Sequence, residues 1–110
     1  MLITFLNIDC VPDDFEGCCY LSDYKAKYWL KPARVFHREN APAIEYDVGA
    51  KIWYNNDVRE RLDGPAFDWG DNNKEFFIEG KIITEQDYWN HPKIILYKLN
   101  HILQEEDQNI

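Results

Sequence analysis

His37, Arg38 and Glu39 stand side by side in the chain. A histidine flanked by an acid has the make-up of a general base, which needs a neighbour to set its tautomer and a pocket to exclude water. Little else in the sequence completes that chemistry. His91 and His101 lie ten residues apart, so they do not form the i, i+4 pair that holds zinc on a helix. Cys10, Cys18 and Cys19 lack CxxC spacing. Ser22 is the single serine and no G-x-S-x-G surrounds it. The glycines are scattered, without a phosphate-cradling loop. The expectation is therefore a chain with no catalytic set, no metal and no cofactor, in which His37 anchors a turn.

The carboxylates are the second candidate chemistry. Asp and Glu number 20 against 12 Lys and Arg, for a formal net charge of −8. That balance excludes a general binder of phosphate backbones, which needs a basic surface. It suits a partner whose surface is basic. Glu45, Asp47, Asp68, Asp71, Glu75 and Glu79 are the candidate partner-binding residues. Strand residues two apart lie ~6.6 Å apart on one face, on the order of the spacing between successive phosphates. A rigid sheet bearing such rows would enter a basic nucleic-acid channel, with charge steering the encounter and aromatic side chains anchoring it. The alternative is an acidic face that only keeps the protein soluble. The basic run Lys25, Lys27, Lys31, Arg34 and Arg38 either pairs with the acidic first 23 residues or forms a patch of its own.

These groups need elements to position them. Four Trp, seven Tyr and six Phe in 110 residues exclude a disordered acidic tail. The length fits one domain. Residues 38–58 and 61–81 align with a period of 23. Arg38 meets Arg61, Asn40 meets Asp63, Pro42-Ala43 meets Pro65-Ala66, and Glu45 meets Asp68. Lys51 meets Lys74, and Trp53-Tyr54 meets Phe76-Phe77. Lys27-Tyr28-Trp29 resembles Lys51-Ile52-Trp53 at an offset of 24, the trace of an earlier copy.

Each copy reads as a hairpin. Pro42 and Pro65 suit strand entries because proline fixes φ and donates no N–H. Ile44-Glu45-Tyr46-Asp47 and Phe67-Asp68-Trp69 alternate apolar with acidic, one face buried and one wet. Gly49 and Asn72 are the expected positive-φ turn residues, with second turns at Asn56-Asp57 and Glu79-Gly80. Arg38 with Asn40, and Arg61 with Asp63, should hold turn geometry: the Asx closes onto backbone and the guanidinium donates to carbonyls or carboxylates. His37, Arg38, Asn40, Pro42, Arg61, Asp63, Gly64 and Pro65 are thus the structural fingerprint.

Leu2 to Ile8 reads as a strand. Thr84 reads as an N-cap with acids after it, and Pro92 as the first turn of a second helix. Ile95, Leu96, Leu99, Ile102 and Leu103 form a stripe at helical spacing that should cover one end or face of the sheet, and the polar tail after Gln104 should fray. The fold class is α+β, mainly β: an antiparallel sheet of 23-residue hairpin repeats with a C-terminal helix or helices. Residues 1–26 form the N-terminal strand region, 27–83 the repeats and 84–106 the helical segment of a single domain. Three cysteines, two adjacent, read as small buried hydrophobes in a reducing compartment rather than a disulfide framework. The first residues lack a basic n-region, and no stretch approaches a membrane span. Both point to a cytoplasmic protein.

His37-Arg38-Glu39-Asn40-Ala41-Pro42-Ala43, Arg61-Leu62-Asp63-Gly64-Pro65-Ala66 and Lys51-Ile52-Trp53-Tyr54 resemble a MORN-like hairpin repeat of the form HREDGPA…DGTKEWY-NGK, common in phage, giant-virus and bacterial proteins. The likeness covers about residues 27–87. It implies a hairpin array serving as scaffold or interaction surface, antitoxin-like in some members, and no single chemistry. Ala41 stands where the family has glycine, and Val58-Arg59 where it has Gly-Lys. With the acidic charge, the resemblance leads to an expected non-enzymatic protein-binding role. Its concrete form is a phage or mobile-element inhibitor of a host nucleic-acid-handling defence enzyme, anti-CRISPR-like and a possible nucleic-acid mimic. The alternatives are an antitoxin-like or structural assembly module and, third, an enzyme holding a small ligand in a hairpin groove. The expected partner is a protein with a basic surface, not nucleic acid or membrane.

Overall fold

Tight two-residue hairpins need two successive residues at positive φ, which most side chains resist. Asn56 and Asp57 adopt φ of 49° and 67°, and Glu79 and Gly80 adopt 53° and 81°. Ala33 and Arg34 form a third such pair, at 67° and 57°. The three pairs are spaced by 23 residues, so the chain carries three turns of one kind. Pro32 adds one residue to the first of these loops: Lys31 pairs with Val35 there, whereas Asn55 pairs with Val58 and Ile78 with Lys81. That extra residue explains the offset of 24 before the turn and 23 after it.

The computed structural model describes residues 2–70 and 72–108, with side chains through residue 103. The strands are β1 Ile3–Phe5, β2 Gly17–Leu21, β3 Ala26–Lys31, β4 Val35–Phe36, β5 Ile44–Tyr46, β6 Lys51–Ile52, β7 Tyr54–Asn55, β8 Val58–Arg59, β9 Phe67–Asp68, β10 Lys74–Ile78 and β11 Lys81–Ile83. The helices are α1 Glu85–Trp89 and α2 Pro92–Gln108. Among the described residues the main sheet runs β1-β2-β3-β5-β6-β9-β10-β11, with β4 also on β3, and β7-β8 form a separate two-stranded piece. In each unit one long strand (β3, β6–β7, β10) pairs with its own return strand; the first two also receive the strand that leads into the next unit.

The architecture is mainly β with terminal helices, as expected, with a mixed rather than purely antiparallel sheet. β1 lies parallel to β2, Ile3 opposite Cys19 and Phe5 opposite Leu21. The expected strand over Leu2–Ile8 is cut short, because Asn7 accepts the Asp9 N–H and starts a 3-10 turn at Ile8–Cys10. The following segment straps the first unit: Arg34 Nε donates to the Val11 carbonyl at 2.9 Å and pairs with Asp13 at 3.2 Å. The basic run therefore does meet the acidic start at this point.

The sheet has two cores. Cys19, Tyr28, Ile44, Ile52 and Phe67 are register partners in a row across five strands. With Val11, Leu21, Ala26 and Leu30 they bury one face. On β10 the alternation places Phe76 and Ile78 on the opposite face from Glu75 and Phe77. There they pack with Tyr88 and Ile94 from the helices. Thr84 caps α1, accepting the Asp87 N–H at 3.1 Å. Pro92 opens α2 as expected. Two expectations fail in α2. The helix continues to Gln108 instead of fraying after Gln104, since Gln and Glu are good helix formers. Its apolar stripe does not cover the sheet: Ile94 is buried, whereas Leu96, Leu99 and Leu103 remain 59, 51 and 57% exposed.

Turn and cysteine expectations hold in part. Gly49 has φ of 102°, but the second copy places its positive φ at Gly70 (131°), not Asn72. Cys19 is buried and burial pushes its thiol up to about 11. Burial also raises Cys18. Cys10 is exposed, because the 3-10 turn faces it outward, so it is not the buried hydrophobe expected.

Candidate functional site

Arg38 and Arg61 play identical parts. Each donates from Nη1 to the carbonyl of the proline four residues on, Pro42 at 3.2 Å and Pro65 at 3.1 Å. Each guanidinium lies over a tryptophan of the preceding unit, Arg38 at 3.8 Å from the Trp29 centroid and Arg61 at 3.9 Å from that of Trp53. Arginine suits this because a planar cation stacks on the ring face while its edge donates. The backbone repeats too: Trp29 N donates to Ala43 O and Trp53 N to Ala66 O, at 2.8 and 2.7 Å. Ala43 and Ala66 are both fully buried. A larger side chain at either position would part the units.

His37 and its equivalent Glu60 hold the turns. His37 Nδ1 accepts the Asn56 N–H at 3.1 Å, and Glu60 Oε1 accepts the Glu79 N–H at 3.4 Å. With Nδ1 accepting, neutral His37 carries its hydrogen on Nε2. Its role is the turn anchor expected from sequence. Asn40 takes a left-handed backbone, φ 58°. Asp63 accepts from Arg61 Nε at 2.8 Å instead of closing onto backbone.

The two fingerprint loops and α2 border a groove of about 560 Å³. Its wall includes His37, Arg38, Trp53, Tyr54, Arg61, Tyr97 and His101. Most charged groups there have partners: Arg38 pairs with Glu45 at 3.0 Å, Arg61 with Asp63, and Glu60 with Lys93 at 2.5 Å, whereas Glu39, also on the wall, makes no ion pair among the described residues. Lys93 is raised by its hydrogen bond to Glu60. His101 Nδ1 lies 3.1 Å from the Tyr97 carbonyl, which can only accept. The groove can stack and hydrogen-bond a side chain or small ligand. Among the described residues it brings no nucleophile against a base.

The candidate acids do not form one surface. Lys27, Glu45, Lys51, Asp68 and Lys74 are successive register partners across five strands. The row expected to be negative therefore alternates in sign, which is the stabilising cross-strand pattern. Asp47 sits in the β5–β6 turn and accepts from Tyr20 OH at 2.5 Å, an interaction that raises the phenol. Glu75 lies beside Phe67 on the other face. Glu79 is at the opposite end of the sheet, 3.6 Å from Lys93. Asp71 lies outside the described residues.

The sequence reading missed Tyr88, Trp29, Trp53 and Glu60. Tyr88 is fully buried; its hydroxyl donates to the Arg61 carbonyl and accepts the Gly64 N–H at 3.2 Å. Burial pushes it up to about 12. Its helical neighbourhood gave no hint of a partner 24 residues upstream. Trp29 and Trp53 were visible as a repeat pair, but not as seats for the arginines.

Also overlooked was the end of the sheet that carries the 22–25 and 47–50 turns and Trp69. Asp47 N donates to Lys25 O at 2.8 Å there. Trp69, half exposed, stacks on Phe67 at 5.9 Å and lies 6.0 Å from Tyr46. Tyr24 and Val48 are exposed, 42 and 77%. Asp23 and Asp47 make no ion pair among the described residues.

Comparison with protein-family models, characterised proteins and solved structures gives no match to this chain. No described helix is long and apolar enough to cross a membrane.

Proposed function

We propose that this chain is a non-enzymatic protein-binding module that docks a basic protein surface through the turn end of its sheet. The observation that carries the reading is that Tyr24, Val48 and Trp69 all stand exposed at this end, with the carboxylates of Asp23 and Asp47, which make no ion pair among the described residues. Aromatic anchors ringed by charge are what transient interfaces use: the rings supply affinity and the acids steer the approach. With a net charge of −8 and the resemblance to phage and bacterial hairpin repeats, the concrete form of the proposal is an inhibitor encoded by a phage or mobile element. It would act in the host cytoplasm and occupy the basic surface of a nucleic-acid-handling defence enzyme, in the manner of an anti-CRISPR protein.

A second reading, an antitoxin-like or structural assembly module, is favoured by the alternating Lys27–Glu45–Lys51–Asp68–Lys74 row. That row makes the sheet face a poor imitation of a phosphate backbone.

The test is affinity capture from a bacterial lysate at low and high salt, with the retained protein identified by mass spectrometry. The proposal expects a basic partner held at low salt and weakened at high salt. Asp23→Lys with Asp47→Lys should abolish capture, and Trp69→Ala should abolish it at both salts. Capture indifferent to all three substitutions would refute the turn end as the docking surface. Capture lost with Trp69→Ala but insensitive to charge and salt would favour the second reading.

A further inference from the structure

The two outer strands of the sheet are finished differently. An edge strand shows a row of unpaired N–H and C=O groups, and proteins blunt such edges with lysine, proline, a bulge or a covering element. The β11 edge carries Lys81 and runs at once into the capped helix α1. The β1 edge has none of these. Leu2-Ile3-Thr4-Phe5-Leu6 holds no charge and no proline, and β1 pairs only with β2 among the described residues.

Register fixes which groups are left over. Ile3 lies opposite Cys19 and Phe5 opposite Leu21. The Ser22 N–H donates to the Phe5 carbonyl at 3.0 Å, and the Asp23 N–H carries the pairing on to the Leu6 carbonyl at 2.8 Å. Backbone groups of successive strand residues turn to opposite sides. With Phe5 turned to β2, the N–H and C=O of Thr4 face the open side. The side chains suit a newcomer there: Ile3 and Leu6 are more than half exposed. Phe5 is packed edge-on against Phe15, ring centroids 5.5 Å apart. The strand is thus held on one side and one face, and open along its outer edge.

Charge says what kind of segment fits. Residues 1–23 hold five acids and no Lys or Arg. Of these only Asp13 has an ion pair among the described residues, with Arg34. Asp23 stands at the Leu6 end of the edge through its N–H, and Asp9 follows Leu6 by three residues. A second copy of this chain would bring the same acids and a net charge of −8. Charge therefore opposes self-pairing and favours a strand with basic flanks.

We propose that the β1 edge takes up an extended apolar segment of a partner protein, flanked by Lys or Arg, as an added strand of the sheet. Backbone bonds supply the affinity and the flanking bases the fit, the β-augmentation mode of peptide recognition. The site adjoins the turn end but needs neither Trp69 nor Asp47.

The test is fluorescence anisotropy of a labelled peptide of alternating valine and threonine with lysines at both ends, titrated with the whole chain to about 1 mM. The proposal expects saturable binding that weakens as salt rises. The same peptide N-methylated at its valines should bind about tenfold more weakly, having lost the N–H groups an added strand donates. Thr4→Pro should weaken the unmodified peptide to the same degree at an unchanged melting temperature, since the Thr4 N–H serves no bond within the sheet. Trp69→Ala should leave peptide binding unchanged, so failure of the turn-end docking role and failure of this one are read separately. No binding of the unmodified peptide, equal binding of the N-methylated one, or full binding by Thr4→Pro would each overturn the proposal. So would a concentration-dependent doubling of mass by the chain alone that Thr4→Pro abolishes, which would put a second copy on the edge.

Discussion

The Arg38 loop and the Arg61 loop are the same device finished in two ways. Each guanidinium rests on the tryptophan of the unit before and ties down a proline carbonyl. The first then closes outward, onto Glu45 across the sheet. The second closes inward, onto Asp63 and under α1, where Tyr88 takes both the Arg61 carbonyl and the Gly64 N–H. The difference shows how an open repeat array is ended. An internal unit is held by its neighbours, whereas the terminal unit has no following copy and is capped by a helix. It also explains Gly64. A Cβ there would come within 2.9 Å of Arg61 Cζ, so an alanine would have to shift the guanidinium in its seat; no positive φ is involved.

The cap is the place to break the comparison hardest. Tyr88→Ala should cost about 3–5 kcal/mol by opening a cavity in the second core. Tyr88→Phe should cost about 1–3 kcal/mol by stranding two buried polar groups. Urea melts monitored by tryptophan fluorescence check both, and loss confined to the terminal unit would show as two transitions.

Alkali attacks both cores, since burial also raises Tyr28 and Cys19 in the first. Burial raises Tyr88 to about 12, and the Glu60 hydrogen bond raises Lys93. Both folded values lie above the unfolded ones, near 10 for tyrosine and lysine. The fold favours the protonated forms, so their contribution is complete below about pH 10 and lost as the pH climbs toward 12. Melting temperature followed across that range should fall more steeply for the chain than for Tyr88→Phe.

The arginines come next. Arg61→Ala should cost about 2 kcal/mol and Arg38→Ala about 1 kcal/mol, through lost stacking and hydrogen bonds. Lysine should rescue neither, because an ammonium lacks the planar fork that lies flat on the ring while its edge donates to a carbonyl and a carboxylate. Gly64→Ala should cost about 1–2 kcal/mol through crowding of Arg61, while Ala41→Gly should change stability by less than about 1 kcal/mol. Equal effects in the two copies would mean the lid contributes nothing.

Much of this frame was legible in the sequence, for a physical reason. Equivalent packing demands equivalent residues, so Arg and Pro-Ala recur at one period, whereas the three positive-φ turns use different pairs, Ala33-Arg34, Asn56-Asp57 and Glu79-Gly80. Tyr88 was not legible, because its partners lie on another element and local pattern carries no information about them. The α2 stripe was legible as a stripe, but periodicity does not say which way a helix turns it. The acids misled because their sign is local, whereas their neighbours are set by register. Only the pairing of Lys51 with Asp68 across separate strands reveals that the row alternates.

The central claim is that each unit is seated by an arginine on the tryptophan before it. Double-mutant cycles on Arg61 with Trp53, and on Arg38 with Trp29, measure that directly. The account predicts a favourable coupling of about 1 kcal/mol in both pairs. A coupling indistinguishable from zero in either pair would contradict it.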